Sequence, residues 1–376
     1  MNRLQHNLNF FDINSSKEYS DFFLQKKSNG LNVIDLFCGC GGFSLGFKRE
    51  GYNIIAGLDN DQDSLKTFEH NLETKAFNLD LSTENWIESL LSQIKNKSID
   101  ILVGGPPCQG FSLTGTRVFD DPRNRLYKAF FDGIDALSPR FVLIENVKGM
   151  STLYRGQAKK SILSELQARG YKTTERVLNS AEYGVPQFRE RLFILGSKGN
   201  FQPRLPNALV SEESFISSSM AISDLPGLET DVGNDKSKYG KSAENYYQKL
   251  MRKGSSHIYN HLGTVHKDFV IETIKQVPDG GNYKDLPAGV GSSRKFNEAW
   301  TRYNSAKPSR TIDTGHRNHF HYKYNRVPTV RENARLQSFP DTFRFMGSKT
   351  SQNRQVGNAV PVFVAQAIAA EVLKQL

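Results

Sequence analysis

Cys108 stands in the segment GGPPCQGFS, a setting that displays a thiol rather than packing it away. Pro106 and Pro107 restrict the backbone ahead of it, and Gly110, Ser112, Gly115 and Thr116 follow as a flexible polar stretch. A free thiol ionises near about pH 8.5, so a nucleophilic Cys108 needs neighbouring cations or a helix N-terminus to raise its thiolate fraction. Glu145 and Asn146, in FVLIENV, end another apolar run, and Glu145 is a candidate proton donor. In YGVPQFRERLFILG, Gln187, Arg189 and Arg191 alternate, so in an extended segment they point the same way. Guanidinium donors beside a thiolate suit the orientation of a polar, planar substrate and its phosphate.

A second constellation lies nearer the N-terminus. DLFCGCGGFSLGF reads as a strand, a glycine-rich turn and a helix, which lets a ligand approach bare backbone at the carboxyl edge of a sheet. Its spacing, Gly39-x-Gly41-Gly42, is not the G-x-G-x-x-G of dinucleotide folds, and no G-K-[ST] follows to hold a triphosphate. Asp59, about twenty residues on in GLDND, is placed to accept from ribose hydroxyls, and Asp80 ends the next strand where an adenine amino group would need an acceptor. Either carboxylate equally suits a helix cap, and Asp61 is the expected cap of the helix that follows it.

These residues must be carried by regular elements, and short apolar runs alternate with helix-period segments as in an α/β domain with a mainly parallel sheet. The strands are expected at Asn32–Phe37, Asn53–Leu58, Lys75–Asn78, Asp100–Gly104, Arg140–Ile144, Thr174–Leu178 and Leu192–Leu195. Phe43 and Phe47 share one face of the helix after Gly41, which Gly51 closes. From Lys198 to Arg294 the rhythm fails: FISSSM, GNDKSKYG and PDGGNYKDLPAG are rich in turn residues and imply a separate, irregular lobe. Regular spacing returns in AVPVFVAQAIAAEVL as a C-terminal helix.

Bulk properties bound the reading. A chain of 376 residues accommodates one large core and a smaller lobe, and 38% hydrophobic with 23% charged residues is the composition of a globular protein. No apolar run is expected to span a membrane and no secretory leader is read at the start, so a cytoplasmic location is expected. Three cysteines make no disulfide framework; Cys38 and Cys40 form a lone C-x-C and are expected as small loop or core residues, with no metal site. The formal charge of +10 is concentrated at the end, where residues 301–376 hold 12 Lys and Arg against 4 Asp and Glu. His316, Arg317, Asn318, His319, His321, Tyr322, Lys323, Tyr324 and Arg326 mix cations, amides and aromatics as phosphate-binding surfaces do, which makes nucleic acid a candidate partner.

Eight segments in order, from DLFCGCGGF through GLDND, GGPPCQGFS, DDPRNRLY, IENVKG, YGVPQFRERLFILG and TVRENARLQSFPDTF to QVGNAVP, resemble the DNA cytosine-C5 methyltransferases of bacterial restriction-modification systems. The resemblance implies a class I S-adenosylmethionine-dependent fold, Rossmann-like with a doubly wound sheet, and double-stranded DNA as substrate. It implies Cys108 as nucleophile, Glu145 as the acid at the cytosine N3 edge, Arg191 as donor to the base carbonyl and Arg189 as support. Phe37 would stack on the cofactor adenine, with Asp59 on the ribose and Asp80 on the adenine amino group. Gly39, Gly41, Gly42, Asn60, Leu81, Pro106 and Leu126 would complete that site, and Asn358 and Val360 would line its methionine end. S-adenosylhomocysteine would be the product.

The implied organisation is an N-terminal extension (1–30), a catalytic and cofactor-binding domain (31–197), a target recognition domain (198–330) and a returning segment (331–376). Gln109 to Leu126 would close over a flipped base. A monomer is expected, acting on DNA without a membrane and alongside a cognate restriction endonuclease in no stable complex. A transfer-RNA methyltransferase of the same family is the alternative, but such enzymes usually lack a substantial recognition region. An inactive DNA-binding relative is the other, against which Cys108, Glu145, Arg189 and Arg191 are all intact. Cysteines at 38 and 40 and the long N-terminal extension depart from the family pattern.

Overall fold

The computed structural model describes residues 17–107, 124–291 and 299–376, apart from Glu84, Asn96, Thr230 and His316. Cys108 and residues 109–123 of the expected lid therefore lie outside the described residues, as does His316. A short helix α1 (Lys17–Phe22) precedes β1 (Asn32–Leu36), α2 (Gly42–Arg49), β2 (Asn53–Asp59), α3 (Gln62–Leu72), β3 (Ala76–Asn78), α4 (Trp86–Ile94) and β4 (Ile101–Gly104). Then follow α5 (Arg125–Leu137), β5 (Phe141–Val147), α6 (Gln157–Ala168), β6 (Tyr171–Asn179) and β7 (Glu190–Lys198). All seven expected strands are present.

The seven strands form one sheet in the order β3-β2-β1-β4-β5-β7-β6. Neighbours from β3 to β5 run parallel, while β7 is antiparallel to both β5 and β6. The chain can return along β7 because the connection from β6 is only a short turn, which permits an antiparallel hairpin but no parallel crossover. Alternate residues leave the sheet on opposite faces: Val33, Ile101, Val103 and Leu143 join one apolar cluster, Ile34, Leu102, Val142 and Ile144 the other. Side chains of α2 and α3 cover the first face and those of α4, α5 and α6 the second. Burial on both faces explains why the central strands read as unbroken apolar runs.

Beyond β7 lie α7 (Ser218–Ile222), α8 (Tyr246–Arg252) and α9 (Asp268–Lys275), joined by long irregular connections. The chain returns through α10 (Val330–Leu336), α11 (Lys349–Asn358) and α12 (Val362–Leu373). Ile222, Tyr247 and Ile258 pack into the same cluster as α12, whereas Ile274, Val277, Trp300, Phe320 and Val327 form a small core of their own. One stretch, Lys349–Leu373, does have the length and hydropathy of a membrane span, contrary to expectation. It is mostly buried and divides into α11 and α12, because α12 serves as the core helix lying across α2.

The basic C-terminal region turns four of its arginines inward, so the reading of residues 316–326 as a phosphate-binding surface is corrected in part. His319, His321 and Arg326 are buried, as are Arg302, Arg331 and Arg335. Arg326 grips Glu332 through two nitrogens at 2.8 and 2.7 Å. Arg335 meets Asp224 at 2.5 Å and Asp341 at 2.7 Å. Arg302 and Arg331 donate to backbone carbonyls of Val277, Tyr259 and Pro340. Burial pushes the His321 imidazole down to about 3, against the pull of Glu332, so it is neutral at neutral pH. These charges are internal fasteners of the irregular lobe; Arg317 and Lys323 remain exposed.

Candidate active site

Strand order reverses between β1 and β4, and at such a switch point the loops leaving the two strands part to open a crevice. A cleft of about 740 Å³ lies there. One wall begins where β1 ends. Phe37 and Gly41 both take positive φ, 61° and 95°, curling the backbone so that Gly41 starts α2. Gly39 and Gly42 line the cleft; Gly41 does not, because it faces Phe68 and Leu72 behind the turn. Its place in the motif is conformational. A Cβ on Gly42 would come within 2.3 Å of the Val360 carbonyl, so this glycine lets the returning C-terminal segment press against the turn.

Asp59 fastens that turn. Its Oδ2 accepts from the Gly39 amide at 2.8 Å and its Oδ1 from the Asp61 amide at 2.9 Å. With the Asn60 amide also acting on it, the carboxylate still has acceptor capacity for a ligand in the cleft. Burial raises its pKa against these backbone donors. Asp61 caps α3 as expected, accepting from the Ser64 amide at 2.8 Å, and also pairs with Arg354. Asp80 is exposed on the opposite rim, where the hydroxyl and amide of Ser82 hold its carboxyl below the usual range. Phe37, Asn60, Leu81, Pro106, Leu126, Asn358 and Val360 line the same cleft. Cys38 and Cys40 are buried, and burial pushes both thiols up, so they pack as neutral side chains.

Sequence reasoning passed over Asp35, whose only local signal is a carboxylate inside the apolar run NVIDL. It is 1% exposed and lines the cleft. Its Oδ2 accepts from the Ser44 hydroxyl at 2.7 Å, while Oδ1 has no protein partner. Burial pushes its pKa up to about 7, against the Ser44 hydrogen bond and with a smaller contribution from Asp59. Thr311, Ile312, Asp313 and Thr314 also reach the cleft from far along the chain. Ser309 pairs with Gln187, and the Thr311 hydroxyl donates to the Phe188 carbonyl at 2.8 Å.

At the far end, β4 exits through Gly105, Pro106 and Pro107. Asn146 holds this exit, its Nδ2 donating to the Pro106 carbonyl at 2.8 Å and to the Tyr127 hydroxyl at 2.6 Å. Glu145 lies beside it: a Cβ on Gly105 would stand 3.2 Å from Glu145 Oε2. Arg191 Nε meets Glu145 Oε1 at 3.1 Å. Burial raises the Glu145 pKa, and Arg191, then Arg189, oppose the rise. Arg189 is buried, donating to the Gly357 carbonyl at 3.0 Å while Nε and Nη1 lack protein partners. Burial and Arg191 lower it to about 9, leaving the guanidinium charged at neutral pH. Gln187 is a structural staple, donating to the Leu336 carbonyl and accepting from the Ile312 amide. Of the alternating trio only Arg191 lies in β7, which runs between β5 and β6; Gln187 and Arg189 precede the strand and are buried.

Asp35, Asp59 and Asp80 among the carboxylates lining this crevice suit a cationic nucleoside cofactor and disfavour polyphosphate. The fold and its cleft are those of an α/β, S-adenosylmethionine-dependent methyltransferase. The chain belongs to the C-5 cytosine-specific DNA methylase family, whose model matches residues 31–374. It is 38% identical over 366 residues to the type II methyltransferase M.DdeI of Desulfomicrobium norvegicum, covering 90% of this chain and 88% of that protein. The type II methyltransferase M1.HphI of Haemophilus parahaemolyticus is 36% identical over 364 residues, covering 94% and 90%. Among solved structures, a candidate DNA modification methyltransferase from an E. coli prophage superposes with a TM-score of 0.73 at 27% identity, covering 92% of this chain and 99% of that one.

Proposed function

We propose that this enzyme methylates C5 of a cytosine flipped out of a specific double-stranded DNA sequence, with Cys108 as covalent nucleophile. The observation that carries the reading is the Glu145–Arg191 pair beside the Gly105–Pro107 exit, which leads directly to Cys108. Cytosine C5 is a poor nucleophile while its ring is aromatic. Addition of the Cys108 thiolate to C6 breaks the aromaticity, and a hydrogen bond or proton from Glu145 to N3 absorbs the charge driven into the ring. Arg191 holds the base carbonyl, with Arg189 behind it. S-adenosylmethionine, when bound, supplies the electrophilic methyl that the electron-rich C5 takes up. Loss of the C5 proton and expulsion of the thiolate restore the ring. A stacked base is out of reach of these groups, so the cytosine must leave the duplex.

The residues present fit the cofactor. Asp59 has acceptor capacity for ribose hydroxyls, Asp80 stands at the rim for the adenine amino group, and the unpartnered Asp35 oxygen suits a cation. Phe37, Asn358 and Val360 complete the walls. Residues 31–197 and 331–376 form the catalytic part in this reading, and 198–330 carry target recognition. A cognate restriction endonuclease is the expected functional partner, since the similar proteins are type II methyltransferases. Labelled S-adenosylmethionine and duplex DNA should give 5-methylcytosine in one sequence context. Cys108→Ser should abolish turnover and leave cofactor binding intact. Incorporation only into RNA, or full activity in Cys108→Ser, overturns the reading.

A further inference from the structure

The family match begins at residue 31, yet the segment before it is not an appendage. Tyr19 and Phe23 are 0% exposed. Phe23 stacks on Phe363 of α12, with ring centroids 3.9 Å apart and 16° between planes. Arg49 donates to the Phe23 carbonyl, and Gln366 to those of Phe22 and Leu24. Further on, the Lys26 amide donates to Arg49 and that of Asn29 to Gly51. The strap is thus tied to α2 and α12 along its length.

The Tyr19 hydroxyl links this segment towards the active site. Tyr19 donates to the Gly184 carbonyl at 3.1 Å, and its ring occupies the space a Gly184 side chain would take, 2.6 Å from an ideal Cβ. Gly184 closes the turn Ser180–Tyr183 in the left-handed region, φ 73°. The Gly184 amide donates to Ala181 and the Val185 amide to Ser180. Ser180 in turn donates twice to the Arg189 carbonyl, from its amide and its hydroxyl, both at 2.9 Å. A short chain of hydrogen bonds therefore joins Tyr19 to the backbone of Arg189, two residues from Arg191.

We infer that Tyr19 is a positioning residue for methyl transfer: from outside the span that the family model matches it holds the Gly184 turn and, through Ser180, sets the Arg189–Arg191 segment against Glu145. The inference rests on the proposed roles of Arg191 and Glu145. Burial, followed by the neighbouring Tyr247, pushes the Tyr19 phenol well above its ordinary value, so the hydroxyl stays a donor across the working pH range.

Tyr19→Phe in the full chain removes the hydroxyl and keeps the ring that fills the Gly184 space. The expected result is a fall in kcat of about three- to tenfold, the size of one lost hydrogen bond, with the dissociation constant for S-adenosylmethionine unchanged. The alkaline limb of the pH–rate profile should move to higher pH, because a loosened Arg191 stabilises the Glu145 carboxylate less. A wild-type kcat and profile, even with a lowered melting temperature, would show a merely structural strap and overturn the inference. Arg191→Lys separates the two levels. If it lowers kcat while Tyr19→Phe does not, only the positioning role fails; if Arg191→Lys itself leaves kcat and profile unchanged, the catalytic reading fails and takes this inference with it.

Discussion

Arg191 Nε lies 3.1 Å from Glu145 Oε1 across the antiparallel pair of β5 and β7, with both side chains mostly buried. The reversal of β7 is what creates this contact. Running antiparallel, β7 begins at the edge where β5 ends, so the start of one strand meets the carboxyl terminus of the other. A parallel β7 would have carried Arg191 to the opposite side of the sheet.

Replacing Arg191 with Ala should therefore lower kcat by about a hundredfold or more, the usual loss when a charged donor is removed from a reacting centre. The arginine favours the Glu145 carboxylate, so its loss raises the pKa of Glu145 further. The acid form then persists to higher pH. Single-turnover rates between pH 5 and about 10 should show an alkaline limb displaced upward; a downward displacement contradicts the assignment.

Asp35 should make the ligand-free protein pH-sensitive. Its folded pKa, about 7, exceeds its ordinary 3.8, so the native state binds the proton more tightly than the unfolded chain. The stabilisation is full below about pH 4 and lost as pH rises through about 7. At about 1.4 kcal/mol per pH unit, the upper bound is about 4 kcal/mol. Asp35→Asn should thus unfold later than wild type in urea at pH 8 and match it near pH 4. Equal midpoints at pH 8 would refute this. The same substitution should weaken S-adenosylmethionine binding.

Asp59→Ala removes the acceptor of two backbone amides and the expected ribose ligand together. Titration calorimetry should show a cofactor dissociation constant raised at least about tenfold, from lost charge-assisted hydrogen bonds worth about 1.5–3 kcal/mol. Unchanged affinity would remove Asp59 from the cofactor site.

Arg335→Ala should be costly to the fold rather than to the chemistry. It takes the shared partner from Asp224 and Asp341, both 0% exposed, leaving Asp224 with Arg252 at 3.2 Å and Asp341 with Arg331 at 3.8 Å. Breaking a buried pair from one side destabilises by about 3–5 kcal/mol, readable as a lowered urea midpoint. A loss below about 1 kcal/mol would mean that Arg252 and Arg331 are enough to balance these carboxylates.

Legibility from the sequence followed the range of the interactions involved. The strands and the Asp61 cap show in the pattern of near neighbours, and periodicity and turn residues disclose them. The reading of residues 316–326 as a surface failed for His319, His321 and Arg326 because composition shows that a segment is basic without showing what it meets. Glu332 lies close in sequence to Arg326, but the Gly227 carbonyl that Arg326 also meets lies about a hundred residues away. Gln187 was misplaced for a similar reason, since Ile312 and Leu336 approach it from more than a hundred residues away.

Residue type and order alone thus determined the family, the α/β class and the chemistry available to Cys108, Glu145, Arg189 and Arg191, because a nucleophile, an acid and donors at strand ends are local statements. Tertiary structure alone decided the direction of β7, the unpaired oxygen of Asp35, the inward turn of Arg302, Arg326, Arg331 and Arg335, and the tie from Tyr19 to Arg189. Each depends on which distant groups share a low-dielectric space, where a charge or hydrogen-bonding group must find its partner or change its ionisation.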